Sequence, residues 1–389
     1  MIVRLLPILG ITFIDILGFS ILIPLMPFFV QHFGAPPIAV GLLFTAFAGC
    51  QFLAGPVWGN VSDRIGRKAV LIVSQIGATI GWTMLAFAPN LGIVFVARII
   101  EGISGGNISV TQAYVSDLVE PAKRAQAFAY IGAAFSAGLI FGPAAGGWLA
   151  GHYGFRIPFL LAAALQLLTL LVTIAVLPES RSKDAQAEVA TLADIVASLR
   201  DPKLAPTLWQ KFVYSMGLYG WFAAFTLVLQ RQLGLTAETV SYLFAGFGAI
   251  SVVMQLGVVG RISAALGDRR TNSLGLAAVT LSFAIVPFLH DLRVAGAMFA
   301  LFAFGLSTSN ATLPALIADA APESQRGTIL GVASSLESAS GVIMPPLSTG
   351  TLELYGATAT AGLSAAFTLG ALVMGLLQPR AANSPSRSR

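Results

Sequence analysis

The sequence predicts an all-α integral membrane protein with twelve transmembrane helices, and three observations support this prediction. Apolar residues make up 56% of the 389 residues and charged residues only 10%, whereas a soluble domain has roughly 25% charged residues. Apolar runs long enough to cross a bilayer, which takes about 20 residues, recur along the chain. These runs are continuous, whereas the strands of an outer-membrane barrel would alternate over roughly 10 residues.

The predicted spans follow one another with short polar breaks. They cover residues 5–30, 38–60, 69–87, 91–117, 125–149, 156–177, 207–229, 238–260, 271–289, 293–317, 327–350 and 357–377. The longest break separates the sixth span from the seventh. We therefore expect the organisation to be an N-terminal six-helix half over 1–180, a cytoplasmic linker over 181–206, a C-terminal six-helix half over 207–380 and a cytoplasmic tail over 381–389.

Lysine and arginine residues are distributed unevenly between the two sides. With the N-terminus placed in the cytoplasm, eighteen lie on the cytoplasmic side, three on the outer side (Arg156, Arg231 and Arg293), and Arg98 within a span. Because cytoplasmic loops carry the excess of positive charge, both termini are predicted to be cytoplasmic. We interpret the net charge of +5 as a topology signal and expect no nucleic-acid partner.

The linker contains Leu192, Ile195, Val196 and Leu199 at helical spacing. This pattern predicts a short amphipathic helix on the inner membrane face, and an ordinary linker fits the sequence equally well.

Cysteine and histidine are too sparse to form a disulfide framework or a clustered metal site. The chain has one cysteine, Cys50, and its three histidines, His32, His152 and His290, fall in predicted loops. The sequence also lacks a nucleotide-binding loop and a Ser–His pairing. We therefore expect no cofactor, no metal and no enzymatic activity.

The two halves repeat in parallel. A shift of 202 residues aligns Asp117 with Asp319 and Pro143 with Pro345. Two halves related by an axis along the membrane normal can rock about a central site, which is the geometry of alternating access.

Four local patterns resemble a known family. They are Asp15–Gly18 (DILG) in span one, Gly59–Lys68 (GNVSDRIGRK) between spans two and three, Arg98–Gly102 (RIIEG) in span four and Gly138–Gly147 (GLIFGPAAGG) in span five. Together they resemble the major facilitator superfamily and, within it, the twelve-span drug:proton antiporters that include the tetracycline/proton exporters. The resemblance covers the whole chain, and the loop pattern is highly specific for the superfamily.

The resemblance implies a secondary active transporter of the bacterial inner membrane that exports small amphipathic drugs or metabolites in exchange for protons. Its expected partners are a small-molecule substrate, protons and the lipid bilayer, and we expect a monomer. Span three reads Ala78–Thr83 without the acid that tetracycline exporters carry there, so tetracycline is not the expected substrate. The residues carried over are a gating set, Gly59, Asp63, Arg64, Gly66, Arg67 and Asp117, and an antiporter motif, Gly138, Gly142, Pro143, Gly146 and Gly147.

The charges of the gating loop have a physical role of their own. Asp63 can face the positive N-terminus of a helix in the other half, and Arg67 can pair with Asp117. The C-terminal copy has Ala264 where Asp63 would fall, so the two gates are not equivalent. The alternative is that the basic residues only anchor this loop at the membrane face.

Four ionisable residues within predicted spans are candidates for proton coupling: Asp15, Arg98, Glu101 and Glu337. An Asp or Arg costs roughly 2.5–3.5 kcal/mol at a helix centre on insertion scales, so such residues are functional candidates. Arg98 and Glu101 are three residues apart and can pair. The alternatives are a self-neutralised structural pair, a hydrogen-bonded structural Asp15 and a permanently neutral Glu337.

Uncharged polar residues within the spans are candidates for the substrate cavity. They are Gln51, Asn107, Gln112, Gln255 and Asn310. Interhelical packing is the commoner use of such residues. The alternative functions are a facilitative or symport carrier of a sugar-like or other small solute, and a non-transporting sensor on the carrier fold.

Overall fold

The structure is a computed structural model, and it describes residues 2–105, 111, 114, 115, 119, 124–179, 192–322 and 325–378. The α-helices are numbered in chain order as α1 (Ile2–His32), α2 (Pro37–Ile65), α3 (Arg67–Ala86), α4 (Leu91–Ser104), α5 (Arg124–Tyr153), α6 (Arg156–Val176), α7 (Leu192–Arg200), α8 (Ala205–Leu233), α9 (Ala237–Val253), α10 (Val259–Leu266), α11 (Asp268–Ala284), α12 (Leu292–Ala320) and α13 (Arg326–Leu377). A π-helical segment, Met254–Val258, joins α9 to α10, and a 3₁₀ turn, Val286–Phe288, follows α11. The described residues contain no strand.

The described helices follow the order of the twelve predicted spans. Eight are long and apolar enough to cross a membrane. One of them, within α13, contains Gly356 with φ of 82°, a left-handed conformation that turns the chain between predicted spans eleven and twelve. The prediction of an all-α integral membrane fold is confirmed.

Side-chain caps begin three of the helices. The Asn90 side chain accepts a hydrogen bond from the backbone N–H of Ile93 at 3.1 Å, and the Asp291 carboxylate accepts from that of Val294 at 2.9 Å. Thr236 caps α9 in the same way. These caps satisfy N–H groups that have no partner inside the helix, and all three lie at the same end of the bundle. We call it the far end, because α1 begins and α13 ends at the other, which we call the terminal end.

The two halves pack their helices in corresponding ways. In the N-terminal half α1 packs on α5, and α3 packs on α4 and α6. In the C-terminal half α8 packs on α13, and α11 packs on α12 and α13. The most extensive contacts between the halves are those of α2 with α13 and of α5 with α9. These contacts have the symmetry expected of a parallel repeat.

Among the described residues, the contacts between halves lie toward the far end. The Thr45 hydroxyl donates to the backbone carbonyl of Val342 at 2.7 Å. Nearer the end of α1, the amides of Gln31 and Gln230 exchange two hydrogen bonds of 2.8 Å. The halves are therefore joined at the far end by polar contacts as well as by packing.

The short helix α7 lies within the predicted linker. Its Ile195 and Leu199 are half-buried and pack beside Leu204 and Ile317. These two apolar side chains are therefore covered by the C-terminal half at the terminal end.

Candidate functional site

A buried ion pair lies in the N-terminal half. Arg98 and Glu101 are one turn apart on α4, and the guanidinium donates directly to the carboxylate. Their side chains are 1% and 5% exposed. The guanidinium carbon lies 4.1 Å from the centroid of the Phe47 ring of α2, in the position of a cation–π contact. The predicted pairing of Arg98 with Glu101 is present.

Close packing of α3 seals this pair. A β-carbon on Gly81 would collide with the Glu101 side chain, so α3 approaches the carboxylate as closely as its backbone allows. Among the described residues, Glu101 Oε1 and two of the Arg98 nitrogens have no hydrogen-bond partner. Because an arginine stays protonated in proteins, proton exchange in this pair would occur at the Glu101 carboxylate. We name it the sealed pair.

The glycines of span five set the distance between α1 and α5. A β-carbon on Gly138 would lie 2.8 Å from the Phe13 carbonyl oxygen, and one on Gly142 2.5 Å from that of Leu17. The Ser20 hydroxyl donates to the Gly138 carbonyl at 2.9 Å. Since backbone atoms cannot move aside as a flexible side chain can, glycine is required at these positions.

The end of the same motif contacts the other half. Gly146 packs on Ile21 of α1, whereas a β-carbon on Gly147 would collide with Ser241 of α9. Pro143 lies within α5 between these contacts. The motif therefore holds α1 on one side and the C-terminal half on the other.

Asp15 lies on α1 in the segment that this motif holds, and its side chain is half-buried. It takes part in an interaction within the structure. The structure thus leaves Asp15 partly accessible, in contrast to Glu101.

The gating loop turns at Gly66, whose φ of 105° favours glycine. Arg67 is buried, and its guanidinium donates to the Ser62 hydroxyl. The backbone N–H of Arg67 donates to Glu179 Oε1 at 2.7 Å, so this acid after α6 caps the start of α3. Glu179 is not among the predicted site residues, although an acid directly after span six is a signal that points to the loop.

The structure describes the other members of the gating set in less detail. Arg64 is exposed. Gly59 and Asp63 are described by their backbone, and Asp117 lies outside the described residues. The pairing of Arg67 with Asp117 and the gating role of Asp63 therefore stay predictions.

The C-terminal copy of this loop repeats the geometry with the opposite charge. The Ser263 hydroxyl donates to the Asp268 carboxylate, and a shift of 201 residues carries Ser62 and Arg67 onto Ser263 and Asp268. The serine therefore accepts from a cation in one half and donates to an anion in the other. This agrees with the expectation that the two loops are not equivalent.

A second ion pair lies in the C-terminal half, and we name it the open pair. Lys211 Nζ of α8 lies 2.9 Å from Glu337 Oε2 of α13, with side chains 7% and 34% exposed. Lys211 is one of the eighteen basic residues that the charge count assigns to the cytoplasmic side, and the structure buries its side chain beside α13. A count of charges near span ends cannot distinguish a lysine whose ammonium is buried from one whose ammonium reaches water at the end of its apolar stem.

Two tyrosines of α8 flank the open pair. The Tyr214 ring centroid lies 5.8 Å from Lys211 Nζ. A β-carbon on Gly341, one turn beyond Glu337, would lie 3.2 Å from Tyr219 Cε1. Tyr219 thus covers the turn that follows Glu337 on α13.

Two cavity candidates are exposed. Gln255 lies in the π-helical segment, and it follows Ser241 and Gly248, which contact α5, at steps of seven residues. It therefore continues the face of α9 that meets the other half. Asn310 lies eleven residues, about three turns, beyond Phe299, which packs on Phe225 of α8 at a centroid distance of 6.0 Å.

The remaining cavity candidates differ. The Gln51 side-chain amide donates to the Gly105 carbonyl at 2.8 Å, so it links α2 to the end of α4. Asn107 and Gln112 lie outside the described residues. The structure thus leaves Gln255 and Asn310 accessible and gives Gln51 an interhelical bond.

The sequence and the fold of the chain can be compared with those of known proteins. The model of the Major Facilitator Superfamily matches residues 8–293 and 208–389. The chain belongs to the major facilitator superfamily. This confirms the predicted family, and the protein is a membrane transporter and not an enzyme.

Relatives of this superfamily member include resistance proteins. The class B tetracycline resistance protein of Escherichia coli is 31% identical over 351 residues, which cover 87% of this chain and 86% of the relative. Multidrug resistance protein 2 of Bacillus subtilis (strain 168) is 29% identical over 271 residues, 68% of each chain. The crystal structure of the human organic anion transporter MFSD10 (TETRAN) has a TM-score of 0.71 at 22% identity and covers 96% of this chain and 98% of its own. That likeness shows the fold.

Proposed function

We propose that this transporter exports small amphipathic drugs or metabolites in exchange for protons. The observation that carries the proposal is the sealed pair. Arg98 stays charged, so Glu101 is the member of the pair that can exchange a proton. Relatives named for tetracycline and multidrug resistance support export.

The second part of the proposal is the direction in which the structure is open. Positive loop charges favour a terminal end in the cytoplasm of a bacterial inner membrane. With that orientation, the Gln31–Gln230 bonds and the Thr45–Val342 bond close the outer side, and the structure represents the inward-facing state. Gln255, Asn310 and Glu337 then line the cytoplasmic opening.

Coupling is assigned to two carboxyl groups. Asp15, partly accessible on α1, receives a proton when the site opens outward. Glu101 exchanges a proton when α4 moves against Phe47 and α3. In the outward-facing state the terminal end would be closed instead, and this closure would involve Asp63 and Arg67. The family pattern implies the same gating role.

Proton flux in liposomes tests the proposal. The purified protein is reconstituted with a trapped pH-sensitive dye, and a panel of amphipathic drugs is added with and without a pH gradient. We expect drug-dependent proton flux that Asp15→Asn and Glu101→Gln each abolish, and that Lys203→Met, at an exposed lysine, leaves unchanged. Drug movement without proton flux would instead establish a facilitative carrier, and full flux in both carboxyl variants would remove these residues from coupling.

A further inference from the structure

The open pair is built differently from the sealed pair. In the sealed pair both side chains are within 5% of complete burial, so a ligand cannot reach either without moving helices. In the open pair the carboxylate is 34% exposed and the ammonium, 7% exposed, lies directly behind it at 2.9 Å. A ligand that binds Glu337 therefore lies close enough to contact Lys211 as well.

The open pair lies where the two halves diverge. One turn beyond Glu337, the position of a β-carbon on Gly341 is 3.7 Å from Ala48 of α2, and the contacts continue from there to the far end through Val342 and Pro345. Glu337 therefore lies at the terminal edge of the contact between halves. A ligand bound there can touch both halves.

The charge of the site decides which ligand it suits. A ligand that is only a cation would compete with Lys211 for the Glu337 carboxylate. The buried Lys211 ammonium would then lack a full counter-charge. An anion alone would have to displace Glu337 and leave that carboxylate unpaired. The first outcome carries the cost of an uncompensated buried charge, and the second the smaller cost of a partly hydrated carboxylate that has lost its counter-charge. A ligand with both charges replaces one internal salt bridge by two external ones and leaves no charge without a partner.

We propose that the open pair is the recognition site for a zwitterionic substrate, whose ammonium binds Glu337 and whose acidic group binds Lys211. Tyr214 and Tyr219 are the other titratable groups beside the pair. The half-buried Tyr219 provides an aromatic wall for the apolar body of the ligand, and the fully buried Tyr214 packs behind the pair. The exposed amide of Asn310 lies on the side of α12 that faces α8. This inference rests on the proposed transport function and names the substrate class of its site.

Binding of three forms of one drug tests the assignment. The probes are ciprofloxacin, which is zwitterionic near neutral pH, its methyl ester, which is a cation, and its N-acetyl derivative, which is an anion. Binding to the purified full-length protein is measured by isothermal calorimetry without any gradient. We expect the zwitterion to bind about tenfold more tightly than either single-charge form, which corresponds to about 1.4 kcal/mol.

Variants of the pair should reverse the charge preference in opposite directions. Lys211→Met leaves only the carboxylate, so the methyl ester becomes the tightest of the three. Glu337→Gln leaves only the ammonium, so the N-acetyl form becomes the tightest. The exchanged pair, Lys211→Glu with Glu337→Lys, should recover the preference for the zwitterion and show that the site still folds. Lys203→Met is the matched control and should leave all three affinities unchanged.

Two results would overturn the assignment. One is a wild-type protein that does not bind the zwitterion or binds the three forms within about threefold of each other. The other is a parallel loss of all three affinities in Lys211→Met and Glu337→Gln, which is what a purely structural salt bridge predicts. Drug-dependent proton flux with a cationic drug alone would leave the proposed function standing while this inference failed.

Discussion

The two halves of this transporter each enclose an ion pair, and the pairs differ in how they are protected. The sealed pair joins residues three apart on one helix and is closed by α2 and α3. The open pair joins α8 to α13 and leaves its carboxylate one third exposed. The same fold therefore keeps one pair away from ligands and presents the other. This difference underlies the two proposals, which assign proton exchange to the N-terminal half and substrate contact to the C-terminal half.

The largest expected effect is the loss of one partner of the sealed pair. Arg98→Met leaves Glu101 buried without a counter-charge, and breaking a buried pair costs about 3–5 kcal/mol. We expect a large fall in the thermal unfolding temperature of the detergent-solubilised protein. The double variant Arg98→Met with Glu101→Leu should recover stability but not drug-dependent proton flux. An Arg98→Met protein as stable as the wild type would show that the pair is not sealed.

The open pair should be less costly to break. Lys211→Met leaves a carboxylate that is one third exposed and can be hydrated, so the loss should fall between the about 1 kcal/mol of a surface pair and the about 3 kcal/mol of a buried one. The same thermal measurement compares it with Arg98→Met. Equal losses in the two halves would contradict the contrast between them.

Glycine substitutions test the packing of the two halves. In Gly142→Ala the new methyl group lies 2.5 Å from the Leu17 carbonyl oxygen, so α1 and α5 must separate, at a cost of about 1–3 kcal/mol. In Gly220→Ala of α8 it meets the flexible end of Met344 at 2.9 Å, which can move aside. Gly132→Ala, with open space around it, should be neutral or stabilising. Thermal unfolding of the three variants should follow that order.

The smallest expected effect concerns the bonds that hold the halves together at the far end. Gln31→Ala removes the two hydrogen bonds between the side-chain amides of Gln31 and Gln230, worth about 1 kcal/mol net. We expect the fraction of molecules in which the two halves are separated at the far end to rise about fivefold. Spin labels at His32 and Arg293, both exposed at the far end, in a Cys50→Ser background, would report the distance between halves. The variant Gln232→Ala, at the neighbouring glutamine, is the control, and an unchanged distance distribution in Gln31→Ala would exclude a role for this contact.

Local patterns predicted a large part of the candidate site. The pairing of Arg98 with Glu101 follows from their spacing on one helix, and the close packing of Gly138 and Gly142 follows from their repeat of four. The partner of Glu337 did not follow, because Lys211 is distant in sequence and resembles a loop charge in a count of basic residues. Glu179 was missed for a similar reason, since its contact with Arg67 depends on how α6 ends beside α3.

The sequence by itself determined the membrane class, the order of the helices and the family. Bilayer thickness sets the length of every apolar run, and backbone groups in lipid must be satisfied within each helix. The tertiary structure alone decided which acid is sealed, which is open and where the halves touch. These properties depend on how helices far apart in the chain rotate and pack, and the physical reason is that a helix exposes every residue on its surface until its neighbours cover some of them.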